Sequence, residues 1–370
     1  MKPPFRLGIV GCGAITELGH APGALKSKLS RLTTLVDVDL SRAKALGEMF
    51  GVADCRDTID GLENSVDGVV AALPHPAHRP VGTELLRKGL HVLMEKPLGC
   101  TVAECDALAE AARTSGRVLA TALMRRFSLC NRLAKRIIES GLFGNVISFD
   151  IYDGRLFSWP IKTSFLLRPD SPGRGVLIGN GSHFFDLVLW WFGEVAEVAC
   201  RADTKNGGET DAKVTLRMAS GVTGTLQLSR IRQFEDTVTI RFERAVLSLP
   251  PFGTDIRITD TDGRALMAAV PRLDDPKGTV SAQMADLMAM QIDDFVSASM
   301  GGPGPEVGPD MAAAAIALVE RCAAAIEVND PPWRLRNALP NRVVDQVLAS
   351  SIFQFATGSS GHTTARPTES

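Results

Sequence analysis

Short unbroken apolar runs alternate with amphipathic stretches through the first third of the chain. Leu7–Val10, Leu32–Val38, Val66–Ala72, His91–Met94 and Val118–Leu123 are continuous rather than alternating, as strands covered on both faces are. Between them apolar positions recur at helical spacing. Ser41–Phe50 puts Ala43, Leu46 and Phe50 on one side, with Gly51 as a stop. Thr101-Val102-Ala103-Glu104 is a capping box that opens a helix to about Thr114, with Gly116 beyond it. Repeated strand–helix units of this kind predict a parallel, doubly wound sheet.

After about Arg125 the period changes. Leu129–Glu139 reads as a helix ending at Gly141, and Val146–Tyr152 as a strand. Ala212, Val214, Leu216 and Met218 then alternate with Lys213, Thr215 and Arg217. Beyond a Ser220-Gly221 turn, Val222, Leu226 and Leu228 oppose Thr223, Thr225, Gln227 and Ser229, and Val238, Ile240 and Phe242 continue the pattern. This predicts an antiparallel sheet with one core face and one polar, Thr-rich face, the latter either solvated or covered by a partner subunit. Met284–Ser299 and Pro309–Val328 are predicted helices joined by the linker Gly301–Pro305. The Ser/Thr/Gly-rich end, 358–370, is expected to be disordered.

A length of 370 residues argues for two domains, set here at 1–125 and 126–357, with 358–370 as a tail. With 45% hydrophobic and 22% charged residues the composition is that of a soluble globular protein, and a net charge of -2 gives no electrostatic argument for nucleic acid or an anionic membrane. The seven cysteines are scattered without CxxC spacing, which indicates neither a metal site nor a disulfide framework and suits a cytoplasmic protein. The apolar stretch after Lys2 and Arg6 is broken by Gly8, Gly11 and Gly13, unlike a secretion signal, and no segment approaches the ~20 apolar residues of a membrane span.

Candidate chemistry sits at the ends of the apolar runs. Gly11-Cys12-Gly13-Ala14-Ile15 follows the first. Gly11 permits a tight turn, Gly13 allows close approach of a pyrophosphate, and a helix starting near Ala14 aims free N–H groups at the anion. The third glycine of the fingerprint is replaced by Thr16. Asp37 ends the second run about 20 residues on, where a carboxylate accepts hydrogen bonds from the adenosine ribose. It would repel a 2′-phosphate, which favours NAD, while Arg42 leaves NADP open. Asp39 is an alternative ribose partner, but reads first as a turn residue ahead of a Ser41 cap. The loop Leu73-Pro74-His75-Pro76-Ala77-His78 follows a strand and should lie over the cofactor, with His78 either a satisfied helix-start histidine or a functional one and His75 a surface residue.

Glu95-Lys96-Pro97 ends the next run. A lysine buried beside a cationic nicotinamide should have a depressed pKa and exchange a proton with a carbinol; the plain alternative is a rim pair with Glu95. Farther on, a Gly-rich approach leads into an apolar helix carrying His183 and Asp186 three residues apart, on one face. His183 could hold a substrate hydroxyl or carry its proton, although a lone histidine ahead of an apolar helix is more often structural. Arg125 and Arg126, just past the last strand of the first domain, are candidates for binding substrate. Arg155, Trp159, Lys162 and Arg168 could grip an anion and stack on a sugar ring, or simply cover a solvated lid.

Taken together these residues resemble the Gfo/Idh/MocA oxidoreductase family, which includes glucose–fructose oxidoreductase and inositol dehydrogenase. The resemblance spans Leu7 to about Val328. It rests on Gly11-x-Gly13-x-Ile15, Asp37 followed by Arg42-Ala43, the Pro74 to His78 loop, Glu95-Lys96-Pro97, Met124-Arg125-Arg126-Phe127, and Gly175-Val176-Leu177 leading to His183-x-x-Asp186. It implies an α/β protein: an N-terminal Rossmann domain plus a C-terminal α+β domain whose large, mainly antiparallel open sheet mediates assembly, as a homodimer or homotetramer. It also implies a lysine–proline peptide that is often cis, a carbohydrate or cyclitol substrate, and Lys96 and His183 in the places of the family's catalytic lysine and histidine. Gly11, Cys12, Gly13, Ala14, Ile15, Asp37, Arg42, Leu73, Pro74, His78, Glu95 and Lys96 are then the cofactor positions. The chain departs from the family at Gly179, four residues before His183, where an aspartate is common; Asn180 follows. Either Lys96 and His183 suffice with Asn180 orienting substrate, or Asp186 or a substrate carboxylate replaces the missing group, or the protein is a divergent, weakly active or inactive dinucleotide sensor or scaffold. The Tyr-x-x-x-Lys pair of short-chain dehydrogenases is absent, since Leu156 stands four residues after the only tyrosine, Tyr152.

Overall fold

Every apolar run of the first third is a strand of one parallel sheet. The computed structural model describes residues 3–160, 173–205, 208–250, 255–269 and 280–329. In chain order the first part comprises β1 (Phe5–Val10), a helix that passes through a π-wound segment (Thr16–His20) into α1 (Ala21–Lys26), β2 (Ser30–Val36), α2 (Leu40–Phe50), β3 (Asp54–Arg56), β4 (Gly68–Ala71), α3 (His75–Arg87), β5 (His91–Met94), α4 (Val102–Ser115) and β6 (Leu119–Thr121). The strand order is β3-β2-β1-β4-β5-β6, all parallel, so the order reverses between β1 and β4. Ligands bind at such a switch point, beyond the carboxyl ends of the strands.

Local signals act as their chemistry dictates. Thr101 caps α4 by accepting from the Glu104 N–H at 3.2 Å, and Gly116 closes that helix in the left-handed conformation. The Glu104 carboxylate accepts from the Cys100 N–H at 2.8 Å rather than returning to Thr101. At α2 the cap is Asp39 itself, whose carboxylate accepts from the Ser41 N–H; the helix therefore starts one residue before the expected Ser41. Gly47, not Phe50, joins Ala43 and Leu46 on its buried side. The second strand stops at Val36, and Val38 is 92% exposed. Strand β3 carries three half-buried residues, Asp-Cys-Arg, too short and polar to register as an apolar run.

The second part begins with α5 (Leu129–Ser140), β7 (Val146–Gly154), α6 (Val176–Gly179), α7 (Gly181–Phe192), β8 (Val195–Ala202), β9 (Asp211–Met218), β10 (Thr223–Ser229) and β11 (Thr237–Phe242). It continues with β12 (Val246–Leu249), β13 (Ile256–Thr259), β14 (Ala265–Ala269), α8 (Val280–Ser299), α9 (Pro309–Ala324) and β15 (Ile326–Val328). A nine-stranded sheet runs β14-β13-β12-β11-β7-β10-β9-β8-β15. It is mostly antiparallel but mixed: β10 pairs with β7, and β15 with β8, in parallel. The predicted helix Pro309–Val328 is thus cut short, and its last three residues serve as an edge strand. The side chains of Ala212, Val214, Leu216, Leu226, Leu228, Val238 and Ile240 are buried, while Lys213, Thr215, Arg217, Thr223 and Arg241 are exposed on the other face.

One buried core links the two sheets. It runs from Val69 and Val92 through Ala315, Ile316 and Val319 of α9 to Phe149, Val214 and Leu226. Helix α8 brings Ile292, Phe295 and Val296 against Phe5, Leu7 and Leu35 on the other side of the parallel sheet. Both sheets lie within one compact unit, Met1–Asn329. The 358–370 segment lies outside the described residues. Among the described residues no helix is long and apolar enough to cross a membrane.

Candidate active site

The turn after β1 is wedged between two neighbouring strands. Gly11 has φ 100°, and a Cβ there would lie 2.1 Å from the Ala72 carbonyl oxygen, so no side chain fits. The Gly11 N–H donates to Val36 O at 2.7 Å, and the Ala72 N–H to Val10 O at 2.8 Å. At Gly13 an added Cβ would meet nothing within 4 Å. Open space therefore lies beside the start of the helix, whose first N–H groups have no intrahelical acceptors. That combination fits a pyrophosphate. Thr16 suits the third fingerprint position because its buried hydroxyl donates to Gly11 O at 2.6 Å, closing the loop from within.

Asp37 ties this loop to the end of β2. One carboxylate oxygen accepts the Cys12 N–H at 2.8 Å and the other the Asp39 N–H at 2.9 Å. Arg42 points at the same group, 4.0 Å from Asp37 and 3.3 Å from Asp39. Asp37 is 9% exposed, and a carboxylate oxygen retains a lone pair after one hydrogen bond, so a ribose hydroxyl at this edge finds an acceptor.

At the end of β5 the structure corrects the rim-pair alternative. Glu95 is buried and faces His20, with Oε1 2.7 Å from His20 Nε2. Burial raises the Glu95 pKa, but the His20 hydrogen bond and the nearby Lys96 charge bring the net shift below the ordinary value. Its other oxygen accepts the Lys96 backbone N–H at 2.9 Å. The Lys96 side chain turns the other way and donates from Nζ to Gly179 O at 2.7 Å. Its pKa is lowered to about 8, chiefly by burial; Arg230 and Arg125 push it further down, while Glu95 and Asp153 oppose. The Lys96–Pro97 peptide is cis.

His78 is fully buried, with Nδ1 2.7 Å from Pro97 O and Nε2 2.9 Å from Leu73 O. It ties the loop after β4 to the Lys96–Pro97 turn, and burial keeps its pKa low. Leu73 is half-buried against Gly11, and Pro74 caps α3. His75 is half-buried rather than a surface residue: Nδ1 lies 2.9 Å from Gly173 O, and burial, with His78 and Lys96 nearby, lowers its pKa to about 3.

Against the Lys96 side chain, α6 ends at Gly179 and α7 starts at Gly181. His183 on the first turn of α7 has its pKa pushed well down by burial and by the charges of Lys96 and Arg125. The ring is therefore neutral, and its Nδ1 is buried with no hydrogen-bond partner among the described residues. Asn180 accepts on Oδ1 from Arg230 at 3.3 and 3.4 Å and donates from Nδ2 to Asp153 at 2.9 Å. Arg230 reaches the place a side chain at 179 would fill: a Cβ on Gly179 would stand 1.9 Å from its Nη2.

Other candidates turn out to be structural or peripheral in position. Arg126 and Asp186 form a buried bidentate pair at 2.7 and 2.9 Å, with side chains 5% and 1% exposed. Asp186 thus shares a helix face with His183, but its carboxylate is committed to Arg126 and does not stand in for the group missing at 179. Arg125 is 4% exposed and its guanidinium lies 4.0 Å from the Phe184 ring centroid. Trp159 is 40% exposed. Arg155 pairs with Asp236. Lys162 and Arg168 lie outside the described residues.

Four residues that sequence reasoning passed over shape this cleft: His20, Asp153, Glu209 and Arg230. Asp153 and Arg230 had a signal. Each continues the buried-face parity of its strand, Phe149-Ile151-Asp153 and Leu226-Leu228-Arg230, and a charge on that parity has to meet a partner or a site. His20 carried none, because the π-wound segment shifts the helix phase that would place it.

Comparison with known proteins agrees with this geometry. Residues 5–123 match the model of an oxidoreductase family with an NAD-binding Rossmann fold, and 131–248 match the Gfo/Idh/MocA C-terminal domain. The rhizopine catabolism protein MocA of Rhizobium meliloti is 28% identical over 85% of this chain and 93% of its own. An inositol 2-dehydrogenase of Rubrobacter xylanophilus is 25% identical over 88% and 92%. Among solved structures, a 3-ketoreductase from Actinomadura kijaniata in complex with TDP-benzene and NADP superposes with a TM-score of 0.75 at 22% identity, covering 88% of this chain and 99% of its own. With matching models on both halves and the cradle, switch point and strand order in place, the chain belongs to the Gfo/Idh/MocA family of NAD-binding Rossmann oxidoreductases.

Proposed function

We propose that the protein is an NAD(P)-dependent dehydrogenase or reductase acting on a secondary alcohol or ketone of a sugar, a sugar derivative or a cyclitol. The observation that carries this reading is Lys96 at the carboxyl end of β5, with Nζ on Gly179 O at 2.7 Å and its pKa lowered to about 8, and His183, kept neutral by burial and by the charges of Lys96 and Arg125, on the first turn of α7. Gly11, Cys12, Gly13, Ala14 and Ile15 would hold the pyrophosphate, Asp37 with Arg42 the adenosine ribose, and Leu73, Pro74, His78 and Glu95 the walls beside the nicotinamide. Bound cofactor supplies the hydride acceptor or donor. In oxidation, neutral Lys96 takes the hydroxyl proton as the carbinol hydride leaves. In reduction, the lysine ammonium returns that proton to the carbonyl oxygen. His183 Nδ1 holds the hydroxyl, and Gly179 O keeps Nζ aimed into the cleft. Arg125 would stabilise substrate, with Arg126 positioning α7 through Asp186.

On this reading residues 1–125 serve the cofactor and 126–357 the substrate. The polar face of the nine-stranded sheet, which exposes Ile147 (55%) and Tyr152 (37%), joins subunits of a cytoplasmic homodimer or homotetramer. The test is to mix protein, NAD and a panel of sugars and cyclitols and follow the absorbance of reduced nicotinamide. A Lys96→Ala protein with full turnover refutes the assignment. Gly179, in place of an aspartate, favours a second reading, a dinucleotide-binding sensor. NAD-dependent thermal stabilisation without turnover on any substrate supports that reading instead.

A further inference from the structure

The arginines around the cleft are not alike. Arg126 holds Asp186, Arg155 holds Asp236, and Arg232 holds Asp211 in a bidentate pair at 2.6 and 2.8 Å. Arg230 holds no carboxylate among the described residues. Its partners are one amide oxygen, Asn180 Oδ1, at 3.3 and 3.4 Å, and the Phe157 ring at 5.7 Å. The acidic groups nearest to it are committed elsewhere. Asp153 accepts from Asn180 Nδ2 and pairs with Arg155 at 3.5 Å, and Glu209 accepts from the Leu177 N–H at 2.9 Å. A half-buried guanidinium with two long bonds to a neutral amide has given up hydration without a direct carboxylate contact; Glu209 and Asp153 act on it only through space.

Its location says what could supply one. Nη2 occupies the volume that a side chain on Gly179 would take, and the carbonyl of that same residue receives the Lys96 ammonium. Two cationic donors therefore stand on either side of Gly179, with the unpartnered Nδ1 of His183 on the next helix. A carboxylate in the chain at position 179 would satisfy Arg230, and the sequence has none there.

We propose that the substrate brings that carboxylate: the cleft is built for a polyhydroxy acid, a sugar acid of the uronate or aldonate kind, with its carboxylate on the Arg230 fork and its reacting hydroxyl between Lys96 and His183. This rests on the dehydrogenase reading above and narrows its substrate class. Nε and Nη2 share Asn180 Oδ1, while Nη1 makes no hydrogen bond among the described residues, so the Nη1–Nη2 edge presents two parallel donors, the geometry a carboxylate accepts.

The experiment compares matched pairs under saturating NAD: D-glucose with D-glucuronate, D-galactose with D-galacturonate, and D-glucose 6-phosphate as a second anion. Within each pair that reacts, the acid should have the higher kcat/KM by about ten-fold or more, mostly through KM, as expected for a charged hydrogen bond. Arg230→Gln should erase that preference, and Arg230→Lys should keep part of it. Gly179→Asp, which supplies the carboxylate from the chain, should shift preference to the neutral sugar; it decides the matter if Arg230→Gln no longer binds NAD. Preference for neutral sugars in the unaltered protein, or an acid preference that survives Arg230→Gln, overturns the proposal and leaves the dehydrogenase reading standing. Preference for the phosphate overturns the carboxylate assignment. NAD binding with no turnover of any substrate removes the dehydrogenase reading and this inference with it.

Discussion

If Lys96 carries the carbinol proton, the rate of oxidation must follow its ionisation. The base is the neutral amine, so kcat/KM for oxidation should rise with pH and level off above the lysine pKa, while reduction, which needs the ammonium, should fall through the same range. Burial places that pKa at about 8, against an ordinary 10.5. At pH 7 the neutral fraction is then about 9%, compared with about 0.03% for an unperturbed lysine, a gain of about 300-fold in competent enzyme. A cationic nicotinamide beside the ammonium pushes in the same direction, so the midpoint seen with NAD bound should lie at or below 8. The neighbours set further signs. Glu95 favours the charged lysine, so Glu95→Gln should move the midpoint down; Arg230 disfavours it, so Arg230→Gln should move it up. Lys96→Met should lower kcat by about 10²–10⁴-fold, the usual worth of a general base, and Lys96→Arg, which stays protonated, should not restore oxidation. The assay is steady-state oxidation from pH 6 to 10 in buffers of constant ionic strength. A profile that is flat across this range in the unaltered protein, or one unchanged by Glu95→Gln and Arg230→Gln, refutes the role given to Lys96.

Three further outcomes separate folding from binding. Gly11→Ala should destabilise the protein by at least about 1–2 kcal/mol, because φ is 100° and the new Cβ would lie 2.1 Å from Ala72 O; Gly13→Ala, which meets no atom within 4 Å, should leave the thermal midpoint nearly unchanged and weaken NAD binding, read by calorimetry. Asp186→Ala strands the buried Arg126 charge and should cost about 3–5 kcal/mol in denaturant unfolding; a loss below about 1 kcal/mol would mean the pair is not buried in solution. Asp37→Ala removes the charge that repels a 2′-phosphate and should raise the NADP-to-NAD affinity ratio, with Arg42 as the remaining contact; an unchanged ratio in paired titrations counts against Asp37 as the ribose acceptor.

How much of this was legible in the chain depends on the range of the interaction that fixes each feature. The parallel sheet was legible because a strand covered on both faces must be apolar at every position, and the helix boundaries because caps act within four residues: Thr101 with Glu104, and Gly116 at the stop. The edge strands β3, β14 and β15 were not. Residues 326–328 fit a helix by composition and become a strand only because β8 offers an unpaired edge, a contact between residues more than 120 positions apart. The candidate site divides in the same way. Lys96 and His183 announce themselves by standing at the end of a strand and the start of a helix. Arg230 announces itself only by parity, as a charge that follows the end of β10 in step with its buried face, and its meaning depends on what is missing 51 positions earlier, at Gly179. Read alone, a glycine before an apolar helix suggests lost chemistry. Read with the guanidinium that fills its side-chain volume, it suggests a charge reversal at one wall of the cleft. On the proposed reading, the carboxylate expected from the family resemblance is exchanged here for a cation, and a cation there would select a different substrate rather than none.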